Sequence, residues 1–107
     1  MKKDALVKNA ASKKQVKDAD RKEKRHRDDE LNDLREVLSS GPGRRVLWRI
    51  LSECSTFGSI WHPSAAIHYN SGKQDLGHWL MGEVSEANAE SLFLMMKENY
   101  KQGEINV

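Results

Sequence analysis

A chain of 107 residues, 32% charged and 37% hydrophobic, has room for one small domain and little apolar material to build it. No apolar run nears the roughly 20 residues that span a bilayer, and no hydrophobic segment follows the basic N-terminus, so neither a membrane span nor a secretory leader is expected. The single cysteine, Cys54, cannot close an internal disulfide, which points to a reducing compartment or a particle assembled in one. The net charge of +2 hides a segregation: residues 1–27 carry eleven Lys/Arg against four Asp/Glu, and residues 28–36 carry five acids against one Arg.

Residues 1–26 lack Pro and Gly and are rich in Ala, Lys, Glu and Asp, a composition that permits helix. Leu6, Val7 and Val16 form no continuous stripe, so the segment is expected to fray when free and to order when bound. Two readings fit it: a solvated tail, or an arm that docks on nucleic acid or an acidic protein surface. Lys13, Lys14, Lys17, Arg21, Lys22, Lys24, Arg25 and Arg27 have no interleaved aromatics. They would therefore give salt-sensitive, sequence-independent nucleic-acid contact at most.

Leu31, Leu34, Val37 and Leu38 recur at spacings of three and four, which predicts a helix over 28–39. Asp28, Asp29 and Glu30 suit its beginning. Merged with the arm it would run about 50 Å at about 1.5 Å per residue. Residues 39–43, Ser-Ser-Gly-Pro-Gly, end it, which divides the chain into an arm or helix at 1–38 and a small helical domain at 39–107.

The densest apolar run comes next, at 43–54. Its spacing places Val46, Leu47, Ile50, Leu51 and Cys54 on an inward face, with Arg44, Arg45, Trp48, Arg49 and Ser52 behind. That basic, Trp-bearing back suits carboxylates, phosphates or stacking; equally, its arginines could pair with the acids of the first helix or with Glu53. In the loop at 55–63, Phe57, Ile60 and Trp61 either fold back onto the preceding helix or anchor a partner.

Ser64 is the expected N-cap of the next helix, after Pro63. Ala66, Ile67, Tyr69, Leu76, Leu80, Met81 and Val84 give that helix its apolar side. Gly72 and Gly77 inside it each cost up to about 1 kcal/mol relative to Ala, so they mark a bend or a close approach. Ser85 is the expected cap of a last helix with the stripe Ala89, Leu92, Phe93, Met96 and Tyr100. Lys97 and Lys101 suit its C-terminus, and Gly103 ends it. No window alternates as a strand would. The expected fold is all-α: a long charged N-terminal helix or arm followed by three short amphipathic helices.

His26, His62, His68 and His78 have no paired ligand spacing, and a zinc site built from the last three with Cys54 would rest on a single thiol. Cys54 lies on the inward stripe, as a small hydrophobe. No Gly-rich Lys-Ser/Thr loop is present. No catalytic residue, metal or cofactor is expected, and the chain reads as a non-enzyme.

The run RRVLWRILSEC, its aromatic loop and SAAIHYNSGKQDLGHWLMGEV resemble a family of small proteins of short-tailed bacteriophages of the Bordetella-phage type. Members are encoded among the head and tail genes. The family pattern is an Arg-x-x-Leu-Trp/Arg-x-Ile-Leu-x-x-Cys helix, a Gly-Arg-Arg-x-x-Gly-x-x-Leu helix and a closing Met-x-x-Glu. The chain matches the first closely, the second at Gly72, Gly77 and Leu80, and the last within residues 95–99; Lys73 and Gln74 stand where two basic residues are usual. Coverage is 44–99, with the basic arm outside it.

The resemblance implies a podovirus virion protein, made in the bacterial cytoplasm and housed inside the capsid or tail channel. Its partners would be the phage portal, adaptor or tail-tube proteins at the head-tail connector, in a symmetric multi-copy assembly, with non-specific contact to packaged DNA. It could leave as an ejection protein, with no membrane partner before then. Arg44, Arg45, Trp48, Arg49, Phe57 and Trp61 would form the partner interface. The alternative is a nucleic-acid-binding accessory in packaging or regulation, led by the basic arm.

Overall fold

The computed structural model describes residues 2–100, with side chains from residue 9 onward. Leu6 and Val7 as side chains, and Lys101 and Gly103 altogether, lie outside what it describes. Among the described residues the chain is all-helical, with three helices and no strand: α1 (Lys2–Leu38), α2 (Gly41–Glu53) and α3 (Ala66–Asn99). It divides into two compact units, Met1–Glu30 and Leu31–Val107.

In the first unit every side chain of residues 9–26 is exposed. Its helix rests on backbone propensity and local side-chain contacts, such as the ion pair of Arg21 with Asp18 at 3.9 Å and the approach of His26 to Glu30 at 3.6 Å.

The second unit holds the core. Leu31 and Leu38 from α1, Leu47 and Leu51 from α2, and Val84, Ala87, Leu92 and Met95 from α3 are buried together. Leu34, Trp48, Leu80, Met81 and Met96 pack against them. The last turns of α1 thus belong with α2 and α3, whereas the Ser-Ser-Gly-Pro-Gly break puts the boundary after residue 38.

The connection between α1 and α2 is short and specified by its residues. Ser40 is extended, and its Oγ accepts the Gly43 N–H at 3.1 Å. Pro42 falls in the first turn, where its missing N–H costs nothing. A Cβ on Gly43 would collide with the Val37 carbonyl oxygen, so only glycine lets the chain turn back this tightly.

At its other end α2 closes with Ser55 in the left-handed region, at φ 53°. The Thr56 N–H reaches the Leu51 carbonyl at 3.2 Å and the Ser55 N–H reaches that of Ser52 at 3.0 Å, the two bonds of a Schellman turn.

Two expectations about faces are corrected. In α2 the inward row is Leu47, Leu51 and Cys54 with Trp48 beside it, while Val46 and Ile50 are exposed. The apolar positions cover more arc than one seam can use. The seam that wins is the one facing Gly77, where a Cβ would come within 2.8 Å of the Cys54 Cβ and collide with Thr56 Oγ1. In α3, Tyr69, Leu76 and Phe93 likewise point outward.

The expected third short helix is instead the end of α3, past a break. Ser64 is not the N-cap: Ala65 holds that place, and the Ser64 Oγ accepts the Ala66 N–H at 3.2 Å. Ser85 stays helical. The chain breaks at Asn88, which is extended (φ −167°, ψ 102°). Its Oδ1 accepts the N–H groups of Glu90 at 3.1 Å and Ser91 at 3.4 Å and so restarts the helix. On the far side of the break the Ala87 carbonyl is taken by Arg35 Nε at 2.6 Å.

Candidate interaction surface

The segments on which the phage-protein resemblance rests meet in the second unit. Arg44, in the first, donates Nε and Nη2 to the two carboxylate oxygens of Glu98, in the last, at 2.5 and 3.0 Å. Its Nη1 also donates to the Leu38 carbonyl at 2.8 Å. The hydrogen bond from Arg44 holds the Glu98 carboxyl below its ordinary range, and the same bond raises the guanidinium. Cys54 of the first segment lies against Gly77 of the second, and Leu47, Leu51, Leu80 and Met95 are all core or core-packed. These positions therefore build the fold.

The loop between α2 and α3 is fastened from one side. Asn70, Gln74 and His78 recur every four residues along α3, so they share a face. Asn70 Nδ2 donates to the Ile60 carbonyl at 3.3 Å, and Gln74 Nε2 to those of Ser55 and Gly58, both at 2.9 Å. His78 Nε2 lies 3.0 Å from the Thr56 carbonyl. The Thr56 hydroxyl in turn donates to the Leu51 carbonyl at 2.7 Å. This polar row was not among the candidate residues, because polar groups at helical spacing look like a solvated face.

Trp48 is half-buried and sits between two rings. Phe57 stacks on it at 5.4 Å between centroids and 22° between planes, and Tyr100 meets it edge-on at 5.1 Å and 77°. These rings, with Ser52, Ser55, Thr56 and Gly58, line a shallow cleft of about 360 Å³. Phe57 thus folds back onto α2 and still leaves 45% of its surface exposed.

Of the residues expected at a partner interface, Arg44 is committed to Glu98 and Trp48 to its two rings, whereas Arg45, Arg49, Phe57 and Trp61 face solvent. Trp61 is the most open of the exposed large hydrophobic side chains, at 71%. Arg49 lies with Val46, Ile50 and Glu53 around a second hollow of about 260 Å³.

A further exposed row lies on α3: Tyr69 (69%), Leu76 (56%) and Trp79 (59%), with Gly72 between the first two. The Lys73 ammonium sits 5.3 Å from the Tyr69 ring centre. At about 100° per residue Tyr69 and Leu76 border the arc of Leu80, Val84 and Met81, so periodicity alone does not separate this row from the inward one.

Lys13, Lys14, Lys17, Arg21, Lys22, Lys24 and Arg25 are exposed on α1, and Arg27 is half-buried there. Among the described residues no group of three or more His, Cys, Asp or Glu is placed to hold a metal ion, and no helix is long and apolar enough to cross a membrane. Comparison of the chain with protein-family models, with curated proteins and with solved structures returns no match.

Proposed function

We propose that this chain is a non-enzymatic structural or internal protein of a short-tailed phage particle, docked on the portal, adaptor or tail-tube proteins and present in many symmetric copies. The observation that carries the docking role is the excess of large apolar side chains outside the core. Trp61, Tyr69, Leu76 and Trp79 remain largely exposed in a unit whose own core is small. Aromatic residues on a rigidly fastened loop and an adjacent helix are the side chains that dominate protein interfaces. Arg45 and Arg49 supply charge at the rim.

The phage context comes from the resemblance of the segments at 44–99. Release with the genome suits a small helical chain, which can pass a narrow channel with little structure to undo.

Mass spectrometry of purified particles of the encoding phage, intact and after DNA release, tests this reading. Peptides in both samples make the chain a fixed head–tail component, and peptides lost on release make it an ejected one. Absence from both overturns the proposal.

A further inference from the structure

The basic arm carries a pattern that its composition does not reveal. At about 100° per residue, Lys13, Lys14, Lys17, Arg21, Lys24 and Arg25 fall within about 120° of arc on α1. Lys22 lies well outside that arc. The stripe runs about 16 Å from Lys13 to Lys24, with Lys13, Lys17, Arg21 and Lys24 succeeding one another at steps of four, four and three.

All six side chains are exposed. Asp20 lies just beyond one border, and Asp18, at the other, touches Arg21 at 3.9 Å. Across residues 12–25 the opposite side of the helix holds Ser12, Gln15, Ala19 and Glu23, with Val16 as the one large apolar residue in that span. A helix that inserts into a lipid surface needs an apolar face there, and a helix that docks on a folded protein needs anchors. This one offers neither. It offers evenly spaced cations to a partner that is itself a regular array of anions.

We infer that this stripe binds the phosphate backbone of double-stranded DNA without reading its sequence. Six cations against phosphates would release about as many condensed counterions, so affinity should fall with the logarithm of salt at a slope near −5. The inference uses the first unit alone and is independent of the docking role of the second: either can fail while the other holds.

The test is fluorescence anisotropy of the full chain with a short random-sequence duplex, titrated between about 50 and about 200 mM salt. The expected result is binding that weakens about a thousand-fold over that range. Lys17→Gln and Arg21→Gln should each lower the slope by about 1, while Lys22→Gln should change it far less. Circular dichroism of each variant confirms that α1 keeps its helix content. Absence of binding at the lowest salt overturns the inference. So does an equal effect of Lys22→Gln and Lys17→Gln, which would mean charge alone without a helical face. Tighter binding to polyglutamate or to anionic vesicles than to the duplex would assign the stripe to an acidic protein or a membrane and also overturn it.

Discussion

Arg44 and Glu98 are fifty-four residues apart in the chain and joined by two parallel hydrogen bonds, at 2.5 and 3.0 Å. The pair ties the first turn of α2 to the last turn of α3, where the core is bounded by Leu38 and Met95. Because the folded carboxyl titrates below its unfolded value, its contribution is fully present above the unfolded pKa, about 4.3, and is lost as pH falls through the folded one. Glu98→Gln should therefore melt below the parent near pH 7, and the gap should close toward about pH 3. Equal melting temperatures at neutral pH would show that the pair adds nothing.

Two glycines of α3, Gly72 and Gly77, should respond in opposite directions. Gly77→Ala drives a methyl into Thr56 and Cys54 and should cost about 1–3 kcal/mol. Gly72 has nothing within 4 Å of its missing Cβ and lies in a helix, so Gly72→Ala should stabilise by about 0.5–1 kcal/mol. Urea unfolding monitored by tryptophan fluorescence reads both. Shifts of the same sign would contradict the packing of α3 against α2.

The Gln74 amide holds two loop carbonyls, those of Ser55 and Gly58. Gln74→Arg keeps N–H donors at that place and should be mild. Gln74→Leu leaves both carbonyls to solvent, should cost about 1 kcal/mol, and should speed proteolysis between Phe57 and Trp61. If the two variants behave alike, the amide does not fasten the loop.

At the break in α3, Asn88 caps the helical turns beyond it and Arg35 satisfies the Ala87 carbonyl just before it. Asn88→Ala and Arg35→Met should each destabilise by about 1 kcal/mol. Their sum should exceed the effect of the double variant, since a helix that no longer breaks no longer needs Arg35. Strict additivity in a double-mutant cycle would show the two contacts to be unrelated.

Helical periodicity was enough to read the all-α class, the stop at Gly41-Pro42-Gly43 and most of the buried leucines. The inward row of α2 was not legible, because Val46 and Ile50 are as apolar as Leu47 and Leu51. The choice between them is made by Gly77, thirty residues beyond Leu47. Asn88 reads as an ordinary helix residue until its backbone turns extended. Gly77 read equally as a bend or a close approach, and it is Thr56 and Cys54 that make it the second. Of the interface candidates, Arg45, Arg49, Phe57 and Trp61 do face solvent, while the Tyr69–Leu76–Trp79 row emerged only once the other side of α3 was seen to be occupied.

Cys54 is 7% exposed and pressed against the backbone of α3 at Gly77. With no other thiol in the chain, alkylation at this one sulfur must wait for α2 and α3 to part. The native protein thus carries its own clock for that opening. The rate at which a thiol reagent marks it, measured alone and with a bound partner, would report how firmly the seam is held shut, with no label engineered in.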